Sequence, residues 1–384
     1  MRFPEWKEDW LSATLDSICS FSKGSVLSKA HLSDDGLPCI LYGQLYTTYL
    51  SEEIGSVLSR TKVSDPSIER SNDGDVIIPC SGETPEDIAT ARCIRIKGIL
   101  YGGDLNVLKP RQHDGVFLAF QLNGRRRMDI AKIAVGKTIV HLHASDLKHL
   151  RIWFPKSRLE EEKIARFLSL INRRIELQNK IIEGLESLEK GIIHRLIWGQ
   201  ECGKATLGEL LSERTEKTSE QNQFVILSST ATGLFTQEEY FNHQVASENN
   251  VGYKIVRKGD VILSPQNLWL GNINYNDRFE CGMVSPSYKV FSIKGCHAPF
   301  LSLFLKTKRM KYLYGLCSEQ GASVVRRNLN VEEFLQIAIP MPPMEVQKAF
   351  AEKILTIMQK HRSESKYRDL LLLQKKYLLE NMFI

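Results

Sequence analysis

Three short patterns in this 384-residue chain have spacings that chemistry uses. Ala131-x-x-x-x-Gly136-Lys137-Thr138 has the loose spacing of a phosphate-binding loop. Such a loop leaves a strand and opens a helix whose first amides hold the phosphate. Here a strand-like run follows, Ile139 to Leu142, so nucleotide binding is not expected. Glu161-x-Lys163 has the spacing of a metal-dependent nuclease, but it lies in the first turn of a long helix. Asp146 is its only nearby candidate for a second magnesium-holding carboxylate. His141 and His143 have no Cys or His pair at zinc spacing, and two residues on one face of a strand is the simpler reading. The eight cysteines (Cys19, Cys39, Cys80, Cys93, Cys202, Cys281, Cys296, Cys317) form no C-x-x-C pair, so neither a disulfide framework nor a zinc site is expected. No N-P-P-[FYW] adenine-methylation motif and no G-x-S-x-G elbow is present. No catalytic residue, metal or cofactor is assigned to this chain.

The remaining chemistry is nucleic-acid contact. Lys and Arg replace phosphate counterions, and polar side chains reach base edges. In the first half, Asn123, Arg125, Arg126 and Arg127 surround the turn at Gly124, with Lys109 and Arg111 upstream. In the second half, Lys306, Lys308, Arg309 and Lys311 form one cluster and Arg326, Arg327 and Asn328 another. Gln44, Thr47 and Thr48, near Tyr46, and Gln266 and Asn267 are polar residues in loops or strand ends, candidates for base contact. Trp269 reads as a packing residue, not an intercalating wedge. Each cluster taken alone is equally readable as a solvated charge run.

The elements that must position these residues follow from length and pattern. A chain this long holds two or three domains. Hydrophobic residues make up 42%, enough to bury a core and exclude wholesale disorder. No run of about 18 apolar residues occurs and residues 1–10 lack a signal-peptide core, so a soluble cytoplasmic protein is expected. Net charge is +6, but it alternates: −5 over residues 1–100, +7 over 101–200, −5 over 201–250 and +9 over 251–384. That alternation suggests a duplicated unit with its own basic part in each copy. The sequence repeats accordingly. GDVII at Gly74 returns as GDVIL at Gly259, and Gly136–Pro155 aligns with Gly321–Pro340, both at an offset of 185 residues.

Each copy begins with strand and loop patterns. Asp75–Pro79, Gly115–Leu122 and Lys137–His143 read as β-rich in the first copy. Phe224–Ser229, Asp260–Pro265 and Ser287–Ile293 do so in the second. Each copy ends in a long helix. The first opens near Ser157, with capping-box spacing to Glu160 and acidic Glu160–Glu162 in its first turn. Its apolar seam is Ile164, Leu168, Ile171, Ile175, Ile182, Leu185, Ile192 and Leu196, interrupted by Gln178 and Glu189. The run Leu159–Ile197 is 39 residues long, which spans roughly 58 Å. The second seam is Phe350, Ile354, Ile357, Leu371, Leu378 and Met382, with a polar stretch between Gln359 and Arg368 where contact should be weakest. Neither stripe can be buried alone, so the helices are expected to pair. The expected α+β layout is two mixed α/β domains, 1–156 and 200–342, alternating with spacer helices over 157–199 and 343–384.

With these strings in view, the chain resembles the specificity subunit of type I restriction-modification enzymes over essentially its whole length. The resemblance rests on IWFPKSRLEEEKIARFLSLINRRIELQ, IAIPMPPMEVQKAFAEKI, LYGQLYTTY, the two GDVI blocks and VSPSYKVF. One departure is FPKSRLEEEK, where the family more often has two prolines. The resemblance implies two target-recognition domains, each reading half of a bipartite DNA sequence, with two antiparallel helices between them. Those helices would hold two modification subunits that methylate adenine with S-adenosylmethionine. Two restriction subunits would add ATP- and Mg-dependent translocation and cleavage. The chain itself would carry no chemistry. The alternatives are a coiled-coil scaffold with two protein-binding domains, and a self-contained nuclease or ATPase.

Overall fold

The structure is a computed structural model that describes residues 2–136, 139–198, 202–241, 249–320 and 327–383, with the backbone alone for 196–198. The chain divides into two compact units, Met1–Glu183 with Ser363–Ile384, and Gly184–Arg362.

In the first unit, β1 (Leu11–Thr14) leads into a five-stranded sheet whose middle strand is β2 (Val76–Pro79). Strands Leu105–Pro110 and Arg92–Ile94 flank β2. Then come α1 (Pro85–Ile88), α2 (Gly115–Asn123), α3 (Arg127–Ile133) and β3 (Arg151–Phe154), which returns to pair antiparallel with β1. The long helix α4 (Arg158–Trp198) follows. In the second unit, β4 (Gly203–Thr206) plays the part of β1, and β5 (Asp260–Leu263) lies inside a four-stranded sheet. A 3-10 turn at Leu268–Leu270, α5 (Ala298–Leu305), α6 (Lys308–Leu316) and β6 (Ala338–Met341) complete it, with β6 antiparallel to β4. The last helix is α7 (Met344–Asn381).

The two helices give halves to both units, and each half closes a core. In the first unit, Ile164, Leu168, Ile171 and Ile182 are buried, Ile175 half so, and Leu371, Leu378 and Met382 are buried. Arg174 donates to the Tyr367 hydroxyl, and Gln178 donates to the Glu364 carboxylate and to its carbonyl at 3.1 Å. Contacts fall in α4 as they rise in α7, so the helices run antiparallel there. In the second unit, Phe350 and Ile354 are buried while Leu185, Ile192 and Ile357 are half-buried. His361 lies 3.4 Å from Glu186. The polar stretch of α7 is therefore bonded to α4 rather than loose. The side chain of Leu196 lies outside the described residues.

Several expectations need correction. Gly115–Leu122 is helical, not β-rich: Asp114 caps α2 by accepting from the Phe117 amide at 2.8 Å, and every residue from Gly115 to Leu122 is buried. A fully buried segment that is apolar but for Gln121 has no period to separate helix from strand. Of Lys137–His143 only Val140–His141 is strand, and Lys137 and Thr138 are outside the described residues. Phe224–Ser229 is strand only from Leu227. Glu160 and Glu161 are not solvated first-turn charges. Glu160 takes Arg2 (2.6 and 2.8 Å) and the Trp10 indole (3.2 Å). Glu161 takes His113 (2.6 Å) and the Asp114 amide (2.8 Å).

The repeat offset also changes along the chain. It is 185 at the GDVI blocks, where Asn72 N donates to Asp75 and Arg257 N to Asp260, both at 2.8 Å. It is 183 at α2 and α5, which begin at Gly115 and Ala298. At the strand pair it is 192 on the first strand and 187 on the last, where Leu15 N donates to Leu150 O and Leu207 N to Ile337 O, both at 3.0 Å. Loop insertions absorb the differences, so an ungapped alignment over Gly136–Pro155 pairs the wrong residues.

Candidate nucleic-acid interface

In each unit the strand of the GDVI block runs into a loop that lies on the next helical layer. In the first unit this loop carries α1. Pro at its first position and Thr84 as cap fix the turn: Thr84 accepts from Asp87 N at 3.1 Å and donates to the Asp87 carboxylate at 2.7 Å. Asn123 ends α2 and clasps the far end of the loop, accepting from Ala91 N (2.7 Å) and donating to Ala91 O (2.8 Å). Its amide is therefore occupied inside the fold rather than offered to a base. Arg127 reaches over and donates to Glu86 O at 3.1 Å. Arg126 stacks on Trp153, 4.3 Å from the ring, and pairs with Asp129 at 3.0 Å. Arg125 and Arg111 are exposed. Lys109 is paired with Glu69. Gln44 is occupied, accepting from Leu41 N (2.9 Å) and donating to Ser59 (2.6 Å). Thr47 and Thr48 are exposed, with the Thr47 hydroxyl donating to Gly43 O at 2.8 Å.

The second unit builds the same arrangement from different residues. Asn267 precedes the 3-10 turn, and Gly271 ends it at φ +89°, a left-handed conformation that glycine adopts without strain. Lys306 ends α5, 183 residues after Asn123, and takes the equivalent role: its ammonium donates to Gly271 O (3.2 Å) and Ala231 O (3.3 Å). Burial, with Lys311 adding repulsion, pulls the Lys306 ammonium down to about 8. It is a loop clamp, not a free phosphate ligand. Arg327 donates its backbone N–H to Gln266 O at 3.2 Å and lays its guanidinium 4.4 Å over Trp269. Trp269 is thus the packing residue expected of it. Lys308, Arg309 and Lys311 are exposed on α6, followed by the exposed Tyr312 and Leu316, and Gln266 and Asn328 are exposed as well. Arg326 is outside the described residues. Basic side chains with an adjoining aromatic fit a phosphate backbone with bases beside it. Sequence reasoning passed over Glu83, Thr84 and Tyr312. The 183-residue offset that places Thr84 and Asn267 at one position emerges only from the helix starts, while the sequence blocks repeat at 185.

The motifs with enzymatic spacing have other employment. Glu161 is held as above, and Lys163 pairs with Glu5. Among the described residues, no group of three His, Cys, Asp or Glu side chains could hold a metal, and no helix is long and apolar enough to cross a membrane.

The sequence matches the family model of the type I restriction modification DNA specificity domain twice, over residues 7–187 and 206–370. The chain belongs to this family. It is similar to type I specificity subunits from Mycoplasma genitalium (26% identity over 190 residues, 45% of this chain and 46% of the relative) and Mycoplasma pneumoniae (25% over 226 residues, 54% and 55%). A type I specificity subunit of Methanocaldococcus jannaschii is 23% identical over 288 residues, 67% of this chain and 65% of that one. The matched part of the chain thus spans about half the length of the two Mycoplasma relatives. The fold is that of the crystallised type I S subunit from M. genitalium, with a TM-score of 0.62 at 18% identity, covering 98% of this chain and 96% of that one. The chain accordingly carries two type I DNA specificity domains and two long helices, α4 and α7.

Proposed function

We propose that each unit reads one half of a bipartite, asymmetric DNA target and that α4 and α7 dock the modification subunits. Recognition would lie in residues 1–156 and 200–342, and spacing in 157–199 and 343–384. The observation that carries the reading is that one loop-on-helix frame recurs with different exposed side chains: Glu83, Thr84 and Arg127 in one unit, Gln266 and Lys308, beside the half-buried Asn267, in the other. Equal frames with unequal surfaces suit two different half-sites on one duplex. Docking is supported by a second apolar side of α4. Leu159, Leu170, Leu177 and Ile181 are about half or more exposed and lie roughly 120° from the buried seam at 100° per residue. In this reading S-adenosylmethionine, ATP and Mg belong to two modification and two restriction subunits, and the assembly works in the cytoplasm.

The test is a map of methylated adenines in cells with and without this gene, with the modification subunit expressed. Loss of a single two-part asymmetric motif is expected. An unchanged methylome, with an active modification subunit, would overturn the reading in favour of a scaffold that binds proteins.

A further inference from the structure

Two side chains stand out once the loops are superposed by their offset. Glu83 and Gln266 are 183 residues apart, as are the cap positions Thr84 and Asn267 that follow them. Both are exposed, and neither side chain is engaged in a hydrogen bond or ion pair among the described residues. The backbone beneath each is fixed. In the first unit, Ser81 meets His141 at 3.2 Å on one side and Asn123 clasps Ala91 on the other. In the second, Arg327 N–H holds Gln266 O itself and Lys306 holds Gly271 O. A free side chain on a held backbone is what base reading requires, since contacts must sit within about 0.5 Å of their productive geometry. A cation bears on each loop: Arg127 through Glu86 O at 3.1 Å in one unit, and Lys311 packed against Gly271 in the other. They would set the loop against phosphate while the polar side chain reaches the groove.

Resting on the DNA-reading function above, we propose that Glu83 and Gln266 are equivalent specificity-determining residues, one for each half of the target. Their chemistries differ. An ionised carboxylate only accepts, so Glu83 selects an exocyclic amino group in the major groove, cytosine N4 or adenine N6, and rejects the carbonyl edges of guanine and thymine. The Gln266 amide donates and accepts at once and matches adenine N6 and N7. One half-site therefore carries cytosine or adenine at the Glu83 position, and the other carries adenine at the Gln266 position.

The test uses the full chain in its complete complex. Methylomes are compared for wild type, Glu83→Gln, Glu83→Ala and Gln266→Ala, alongside binding of each purified complex to a duplex lacking the target. Glu83→Gln is isosteric and exposed, so the fold is retained. The expected result is a change at one base position in one half-site, by roughly 5- to 150-fold in preference. The other half-site and binding to the non-target duplex stay as they were. Gln266→Ala should relax one position in the opposite half. An unchanged motif in the Glu83 and Gln266 variants would overturn the assignment. So would loss of all methylation together with weakened non-target binding, which would make these residues structural. A wild-type complex with no two-part motif would instead count against the DNA-reading function itself.

Discussion

Replacing Glu161 by leucine and by glutamine separates a buried anchor from a solvated helix-start charge. Glu161 is 2% exposed, with one oxygen on His113 and the other on the Asp114 amide. Asp114 caps α2, so the carboxylate ties the start of α4 to the start of α2. In the second unit Gln347, 3% exposed and 186 residues on, accepts from His297 N at 2.8 Å at the cap of α5 and donates to Pro342 O at 2.8 Å. Glu161→Gln therefore installs the residue the other unit already uses. It keeps an acceptor for Asp114 and loses only the charge-assisted part of the His113 bond, about 1 kcal/mol. Glu161→Leu leaves a buried amide and an imidazole unpartnered, about 3–5 kcal/mol. Amide hydrogen exchange across Gly115–Asn123 reads both directly. At 1.4 kcal/mol per decade, protection should fall about fivefold for glutamine and by roughly 100-fold or more for leucine. Amides of α5 in the other unit should keep theirs. Equal effects of the two substitutions, or no effect on α2, would refute the anchor.

Other outcomes follow from the same geometry. Lys306 in the folded protein sits near 8, below the ordinary lysine value, so the unfolded chain binds more protons between the two. The stability of the second unit should therefore rise with pH from about 8 upward, and Lys306→Met should flatten that rise in a pH series of denaturant melts. Lys308→Ala with Lys311→Ala should weaken duplex binding uniformly across sequences. Titration with salt should show the slope of log affinity on log salt falling by about 0.9 for each lost phosphate contact. Glu52, 3% exposed, receives Lys375 of α7 and Asn172 of α4, both at 2.7 Å. Glu52→Ala strands that lysine beside the buried Arg92 and should cost about 3–5 kcal/mol in thermal unfolding of the first unit. The joint replacement Glu52→Leu with Lys375→Met should recover most of that loss.

The helices were legible because a stripe repeating every three to four residues over eleven turns has few other readings, and the GDVI blocks because their glycines need φ near +92° in both copies. What stayed hidden was chemistry that only tertiary contact decides. Asn123 and Lys306 look like DNA ligands by type, yet each faces a loop backbone. Glu160 and Glu161 look like helix-start charges, yet Arg2 and His113 come from far along the chain to meet them. Gly115–Leu122 has too many apolar residues to show a period at all.

The two copies show which positions hold the frame, because there the role persists while the residue changes. Asp75 and Asp260 accept the same backbone bond, yet one adds the Tyr101 hydroxyl at 2.9 Å and the other the Arg214 guanidinium at 2.9 and 3.0 Å. Glu161 and Gln347 anchor the same cap with and without charge, and Asn123 and Lys306 clamp the same loop with an amide and an ammonium. A frame kept by function rather than by identity tolerates drift in sequence while it holds the loops in place. Selection for a new target can then act on Glu83, Gln266 and their exposed neighbours without refolding the unit beneath them. That separation predicts that exchanging the two exposed side chains alone, Glu83→Gln with Gln266→Glu, should leave the melting of each unit within about 1 kcal/mol, while altering what each unit reads.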